Sequence, residues 1–144
     1  MTYKIIENVS RETLEKIKSA LKDSVWKKKQ GQETNYEVCF VEFDLPEIKQ
    51  ILGGEWTKMF FLKLPRKGKI HKHIDTPRLE ETYHIPIETN DLCINYMEDE
   101  PYHLEVGKIY WVDRSREHHS VNLGDSDRVH LLIEVADGKN REHT

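Results

Sequence analysis

The sequence predicts a mainly β fold with N-terminal helices, closed as a sandwich or barrel of jelly-roll type. Three observations carry that prediction. From Met59 onward a series of short β-type runs follow one another, each bounded by Gly, Pro, Asn or Asp. Helical spacing is confined to the part before Gly54. Hydrophobic residues make up 37% of 144 positions, enough for one core in a single domain over residues 1–144.

The N-terminal part, to about residue 55, reads as helical. Ser10 is an N-cap for a helix over roughly 11–27, because Leu14, Ile17, Leu21 and Val25 fall on one face. Lys27, Lys28 and Lys29 suit the negative end of that helix. Tyr36 to Phe43 alternates as a strand. Pro46 to Leu52 reads as a short helix, with Pro in its first turn and Gly53-Gly54 past its end. The barrel core, residues 56–136, then runs through Met59–Leu64, Lys69–Asp75, Thr82–Glu88, Leu92–Tyr96, His103–Val106, Lys108–Val112, Ser120–Leu123 and Arg128–Val135. The tail 137–144 is polar.

Composition removes several function classes. Lys and Arg total 22 against 26 Asp and Glu, a net charge of −4 with no basic block, so no nucleic-acid partner is expected. No apolar run approaches the roughly 18 residues of a membrane span, and the first residues hold no secretory h-region. Cys39 and Cys93 lack metal or redox spacing and are expected to be reduced, strand-packed thiols of a cytoplasmic protein.

The chemistry concentrates in a His/carboxylate constellation. In His71-Lys-His73-Ile-Asp75, alternation along a strand turns His73 and Asp75 to the same side. His118 follows 45 residues later, and with them makes a two-His, one-carboxylate triad that fills one face of an octahedral metal and leaves three positions open. That arrangement suits non-haem Fe(II) chemistry rather than a closed zinc site. An HxD tripeptide alone is weak, since eight His and 26 acids generate one by chance. Arg128, ten residues past His118 and opening an apolar run, strengthens it. A 2-oxoglutarate co-substrate needs a fixed cation for its distal carboxylate, and the planar Arg fork meets a carboxylate with two parallel bonds. His119 competes with His118, and neighbours on a strand face opposite ways. His71, His103 and His130 are expected to be wall or core residues, with His130 on the face of Arg128.

The stretch from about Phe60 to Val135 resembles the aspartyl/asparaginyl β-hydroxylase family of 2-oxoglutarate/Fe(II) oxygenases, which includes free-proline hydroxylases. The matching pieces are His73-Ile-Asp75, Tyr83-His84-Ile-Pro-Ile87, Gly107 with Trp111-Val-Asp113, His118 with Asn122, and Arg128-Val-His-Leu-Leu-Ile133. The resemblance implies a cupin-like double-stranded β-helix with Fe(II) held by His73, Asp75 and His118. It gives His84 a role beside Arg128 in binding 2-oxoglutarate. It further implies hydroxylation by O₂ of an amino acid, or of an Asp, Asn or Pro side chain of a peptide or protein, with succinate and CO₂ as co-products. The chain departs from many members at Thr82, where they carry an Arg two residues before the His. A substrate carboxylate would then need another partner, and Arg78 and Arg116 are the loop candidates. The alternative readings are a non-oxygenase cupin-like metal protein and an inactive small-molecule-binding module.

Overall fold

A computed structural model of the chain describes residues 3–31, 33–75 and 79–138. The first strand, β1 (Tyr3–Asn8), is followed by α1 (Arg11–Leu21). The Ser10 side chain accepts a hydrogen bond from the Thr13 N–H at 3.2 Å, and the Ser10 N–H donates to Glu47 Oε1 at 2.9 Å. The cap therefore satisfies an orphan helix donor and ties α1 to the second helix.

The helix ends at Leu21, earlier than its apolar spacing suggests, and Val25 is exposed. Lys27–Gly31 forms β2, a hairpin partner of β3 (Thr34–Phe40), so the lysines belong to a strand and not to a helix end. Charged side chains suit such a strand because they discourage further pairing at a sheet edge. The N-terminal part is thus a mixture of strands and helices. The second helix, α2 (Pro46–Leu52), stands where expected, with Pro in its first turn and Gly53 closing it at φ 62°.

The rest is β structure: β4 (Glu55–Leu64), β5 (Lys69–His73), β6 (Glu81–Glu88), β7 (Cys93–Met97), β8 (Glu100–Tyr102), β9 (Lys108–Val112), β10 (His118–Asn122) and β11 (Arg128–Ala136). The strand expected over His103–Val106 lies earlier, at β8. Glu98 and Asp99 both take positive φ and join β7 to β8 in a two-residue hairpin, with Met97 opposite Glu100. That turn geometry usually calls for Asn-Gly, so Glu-Asp hides it from a sequence reading.

The pairings are antiparallel, in the order β1-β9-β6-β11-β4-β3-β5-β10-β7-β8, with β2 on β3. Ten of these strands, β2 to β11, contribute residues to one common cavity, so the sheet is curled. β11 shows how its two sides differ. Leu131, Ile133 and Val135 pack with Ile17, Ile48 and Leu52 of the helices, while Arg128, Leu132 and Glu134 line the cavity. Both faces are covered, which is why this strand is buried along nearly its whole length. No helix among the described residues is long and apolar enough to cross a membrane.

Candidate metal centre and its pocket

β5 and β10 pair antiparallel with His73 opposite His118. Their rings lie 4.2 Å apart between centroids. Asp75 follows just past the end of β5, and its N–H donates to the Arg114 carbonyl at 3.3 Å. One donor atom from each of His73, Asp75 and His118 lies within 4.8 Å of the others, and all three residues are half-buried. Asp75 Oδ1 is 3.3 Å from His73 Nε2, and Oδ2 is 3.8 Å from His118 Nε2.

Both imidazoles are held from behind. His73 Nδ1–H donates to the His71 carbonyl at 2.7 Å, and His118 Nδ1–H to the Arg116 carbonyl at 2.6 Å. A neutral ring that donates through Nδ1 presents a lone pair at Nε2, the state a metal ligand requires. Adjacent ligands of an octahedral ion with bonds near 2.1 Å stand about 3 Å apart, so a small contraction would bring the three donors onto one ion. The donor set fits Fe(II).

Electrostatics set the triad's ionisation. The hydrogen bond that protonated His73 gives to the Asp75 carboxylate raises the His73 pKa, burial opposing it. Burial pushes the Asp75 carboxyl up, but His73, His118 and Arg114 together bring it below its ordinary value. Burial lowers His118. His119 stacks on Tyr96 at 4.5 Å, within 5° of parallel, and among the described residues it is His118 that groups with Asp75. His71 is paired with Thr34 Oγ1 at 2.5 Å.

The cavity beneath the triad has a volume of about 360 Å³ and two polar ends. At one end lies Arg128, 3% exposed, with Nη1 donating to Asn95 Oδ1 at 2.8 Å. Its Nε is buried without a hydrogen-bond partner among the described residues. Burial lowers its pKa to about 10, which leaves it charged at neutral pH. Beside it, His84 Nδ1 faces His130 Nδ1 at 3.1 Å, with the rings edge to face. Burial, then the Arg128 charge, lowers His84 to about 3, and burial likewise holds His130 far below its ordinary value. Two neutral rings meeting Nδ1 to Nδ1 need one donor and one acceptor. If His130 donates, the His84 hydrogen sits on Nε2, where it can serve an anion in the cavity.

At the other end stand Arg114, Glu134, Lys58 and Thr82. Sequence reading missed Arg114, Glu134 and Asn95. Glu134 had a signal, because it shares the period-2 face that Arg128 begins. Arg114 lies on a loop, where periodicity carries no information. Arg116 points elsewhere, pairing with Asp113 at 3.3 Å and Glu98 at 3.5 Å. Arg78 lies outside the described residues. Asp113 orders the loop before His118, accepting from the Ser115 N–H at 3.0 Å and hydroxyl at 2.5 Å.

Comparison with known proteins identifies the fold and the family. An L-proline cis-4-hydroxylase from Rhizobium meliloti (strain 1021) is 32% identical over 76 residues, 51% of this chain but 27% of that protein's length. A 2OG-Fe(II) oxygenase family oxidoreductase from Burkholderia pseudomallei shares the fold at a TM-score of 0.72 and 10% identity, over 94% of this chain and 85% of that one. The viral collagen prolyl hydroxylase of Paramecium Bursaria Chlorella virus-1, solved as a 2OG complex, superposes at 0.68 with 8% identity, over 94% and 96%. The profile of the aspartyl/asparaginyl beta-hydroxylase family matches residues 4–137, nearly the whole described chain. The chain therefore belongs to the aspartyl/asparaginyl β-hydroxylase family.

Proposed function

We propose that the protein is a 2-oxoglutarate- and Fe(II)-dependent dioxygenase, a double-stranded β-helix that hydroxylates an amino acid or an Asp, Asn or Pro side chain of a peptide or protein. The observation that carries this reading is the meeting of three donor atoms within 4.8 Å, with both imidazoles tied through Nδ1 to backbone carbonyls. His73, Asp75 and His118 would hold the iron, whose bound state supplies O₂ activation coupled to 2-oxoglutarate decarboxylation.

The chain's own residues bind and orient. Asp75 is ionised and His118 neutral at pH 7, so two of the donors need no proton removed, while Asp75 favours the protonated form of His73 and a metal would compete with that proton. Arg128, charged and fixed by Asn95, offers its remaining donors to the distal carboxylate of 2-oxoglutarate. His84 adds a neutral donor once His130 sets its tautomer. Leu132, Phe60, Leu62 and Val38 supply apolar wall to the cavity. We assign the protein to the cytoplasm because Cys39 and Cys93 are free thiols.

The test is an anaerobic titration of the metal-free protein with Fe(II), with and without 2-oxoglutarate, followed by succinate release in air. Iron affinity that rises with 2-oxoglutarate, and succinate formed at the rate of 2-oxoglutarate loss, is the expected result. Iron binding with no 2-oxoglutarate binding would instead favour a cupin-like metal protein.

A further inference from the structure

The cavity end opposite Arg128 holds polar groups that the proposed chemistry leaves without work. Glu134 anchors it from β11, with Thr82 of β6 and Lys58 of β4 beside it in register. Arg114 reaches this end from the loop after β9 and donates through Nη1 to Glu134 Oε1 at 2.6 Å. Its root is fixed as well, since its carbonyl accepts the Asp75 N–H. The residue is therefore anchored by its backbone carbonyl and by Nη1, close to the candidate metal centre.

Two polar atoms at this end are buried without a hydrogen-bond partner among the described residues: Arg114 Nη2 and Thr82 Oγ1. Both are donors, both line the cavity, and both neighbour Glu134. Buried donors are ordinarily satisfied, and an unpaired charged one is especially costly, so the pair points to an acceptor that arrives with a ligand. A carboxylate offers two oxygens and matches one guanidinium edge plus one hydroxyl.

Charge gives the same answer. Among the described residues lining the cavity, Lys29, Lys58, Arg114 and Arg128 face Asp75 and Glu134. Fe(II) and a 2-oxoglutarate dianion cancel one another, so the loaded pocket keeps an excess of two positive charges. A substrate of net negative charge neutralises that excess, and a neutral one does not.

We propose that Arg114, aligned by Glu134 and assisted by the Thr82 hydroxyl, is the clamp for a carboxylate of a small, net anionic substrate. This rests on the oxygenase reading above. Thr82 is then not a vacancy left by a missing Arg: its hydroxyl works with an Arg supplied from a different element.

The experiment uses the full chain loaded with Zn(II) and 2-oxoglutarate, so that nothing turns over, and measures binding by calorimetry. The probes are L-aspartate, L-glutamate and L-proline, each beside its carboxamide counterpart: L-asparagine, L-glutamine and L-prolinamide. The acidic amino acids should bind, and more tightly than their amides. Arg114→Gln should weaken them at least tenfold, Arg114→Lys should recover part of the loss, and 2-oxoglutarate affinity should stay within twofold. Thr82→Val, which changes little volume, should weaken them several-fold and keeps the test alive if the Arg114 variants do not fold. Unchanged probe affinity in both Arg114→Gln and Thr82→Val overturns the clamp. Binding of the amides as tightly as the acids overturns it too, as does failure of all acids to bind a protein that still binds 2-oxoglutarate. Loss of 2-oxoglutarate in Arg114→Gln but not in Arg128→Gln reverses the two ends of the pocket and overturns the assignment. A wild-type protein that binds metal but no 2-oxoglutarate sinks the oxygenase reading instead.

Discussion

His118 and His119 are adjacent in sequence and have separate surroundings. His118 faces Asp75 and is braced by the Arg116 carbonyl, whereas His119 stacks on Tyr96. His73→Ala and His118→Ala should each abolish high-affinity Fe(II) binding, while His119→Ala should retain it, read by equilibrium dialysis. Loss of iron in the His119 variant alone would reverse the assignment. Arg128→Ala should leave iron bound but weaken 2-oxoglutarate by about 2–5 kcal/mol, the range for truncating one partner of a buried charge pair. His130→Leu tests the tautomer argument. It leaves His84 free to carry its hydrogen on either nitrogen, so 2-oxoglutarate should bind several-fold more weakly with iron affinity unchanged.

Asn122 shows how one side chain holds elements together. Its Nδ2 donates to the Leu64 carbonyl at 2.9 Å and the Ser126 carbonyl at 2.8 Å, and its Oδ1 accepts from the Gly124 N–H at 3.0 Å and from Asn90 Nδ2 at 3.3 Å. It thereby pins the end of β10, four residues from His118, to the end of β4 and to the turn before β11. Asn122→Leu should cost about 3 kcal/mol of stability, since buried backbone groups lose their partners, measured by urea unfolding of the metal-free protein. The sequence already displayed Asn122 as part of a family pattern, though not its bonds. Alternation and turn residues made most barrel strands legible; alternation also turned His73 and Asp75 to one side, while His118 was legible from its spacing between Asp113 and Asn122 in the family pattern. β1 and β2 were not legible. Lys27–Gly31 lacks an apolar face and is a strand because β3 pairs with it, a tertiary effect that local pattern does not encode. Arg114 was invisible for the same reason: a loop side chain is placed by what it meets, here Glu134, twenty residues away.

At the scale of the molecule, the curled sheet places two neutral histidines deep beneath the cavity, and folding is thereby coupled to pH. Unfolded His titrates near 6.5, whereas folded His84 does so at about 3 and His130 is depressed as well. Below pH 6.5 the unfolded chain takes up protons that the folded one refuses. Stability is therefore full above that value and falls as pH drops toward the folded values, by at most about 1.4 kcal/mol per pH unit for each group. In urea titrations with chelator present, the midpoint should fall clearly from pH 7 to pH 5, and His130→Leu should flatten that dependence. A flat wild-type profile would mean that both rings take up protons in the fold as readily as in the unfolded chain. Ligands should act in the opposite sense. A divalent metal at 100 times its Kd adds about 2.7 kcal/mol, which thermal unfolding would register as a higher Tm.

β11 has a consequence of its own. Arg128 and Glu134 stand on one side of it, six residues apart, which is about 20 Å at the usual rise of a strand. On the two proposed assignments, the strand would act as a measuring rod for the combined length of co-substrate and substrate. Trimming side chains at the rim widens the chamber and leaves this span unchanged. Removing two residues from the strand would shorten it by about 7 Å with every side chain still facing as before, whereas removing one would turn the marks to the wrong side.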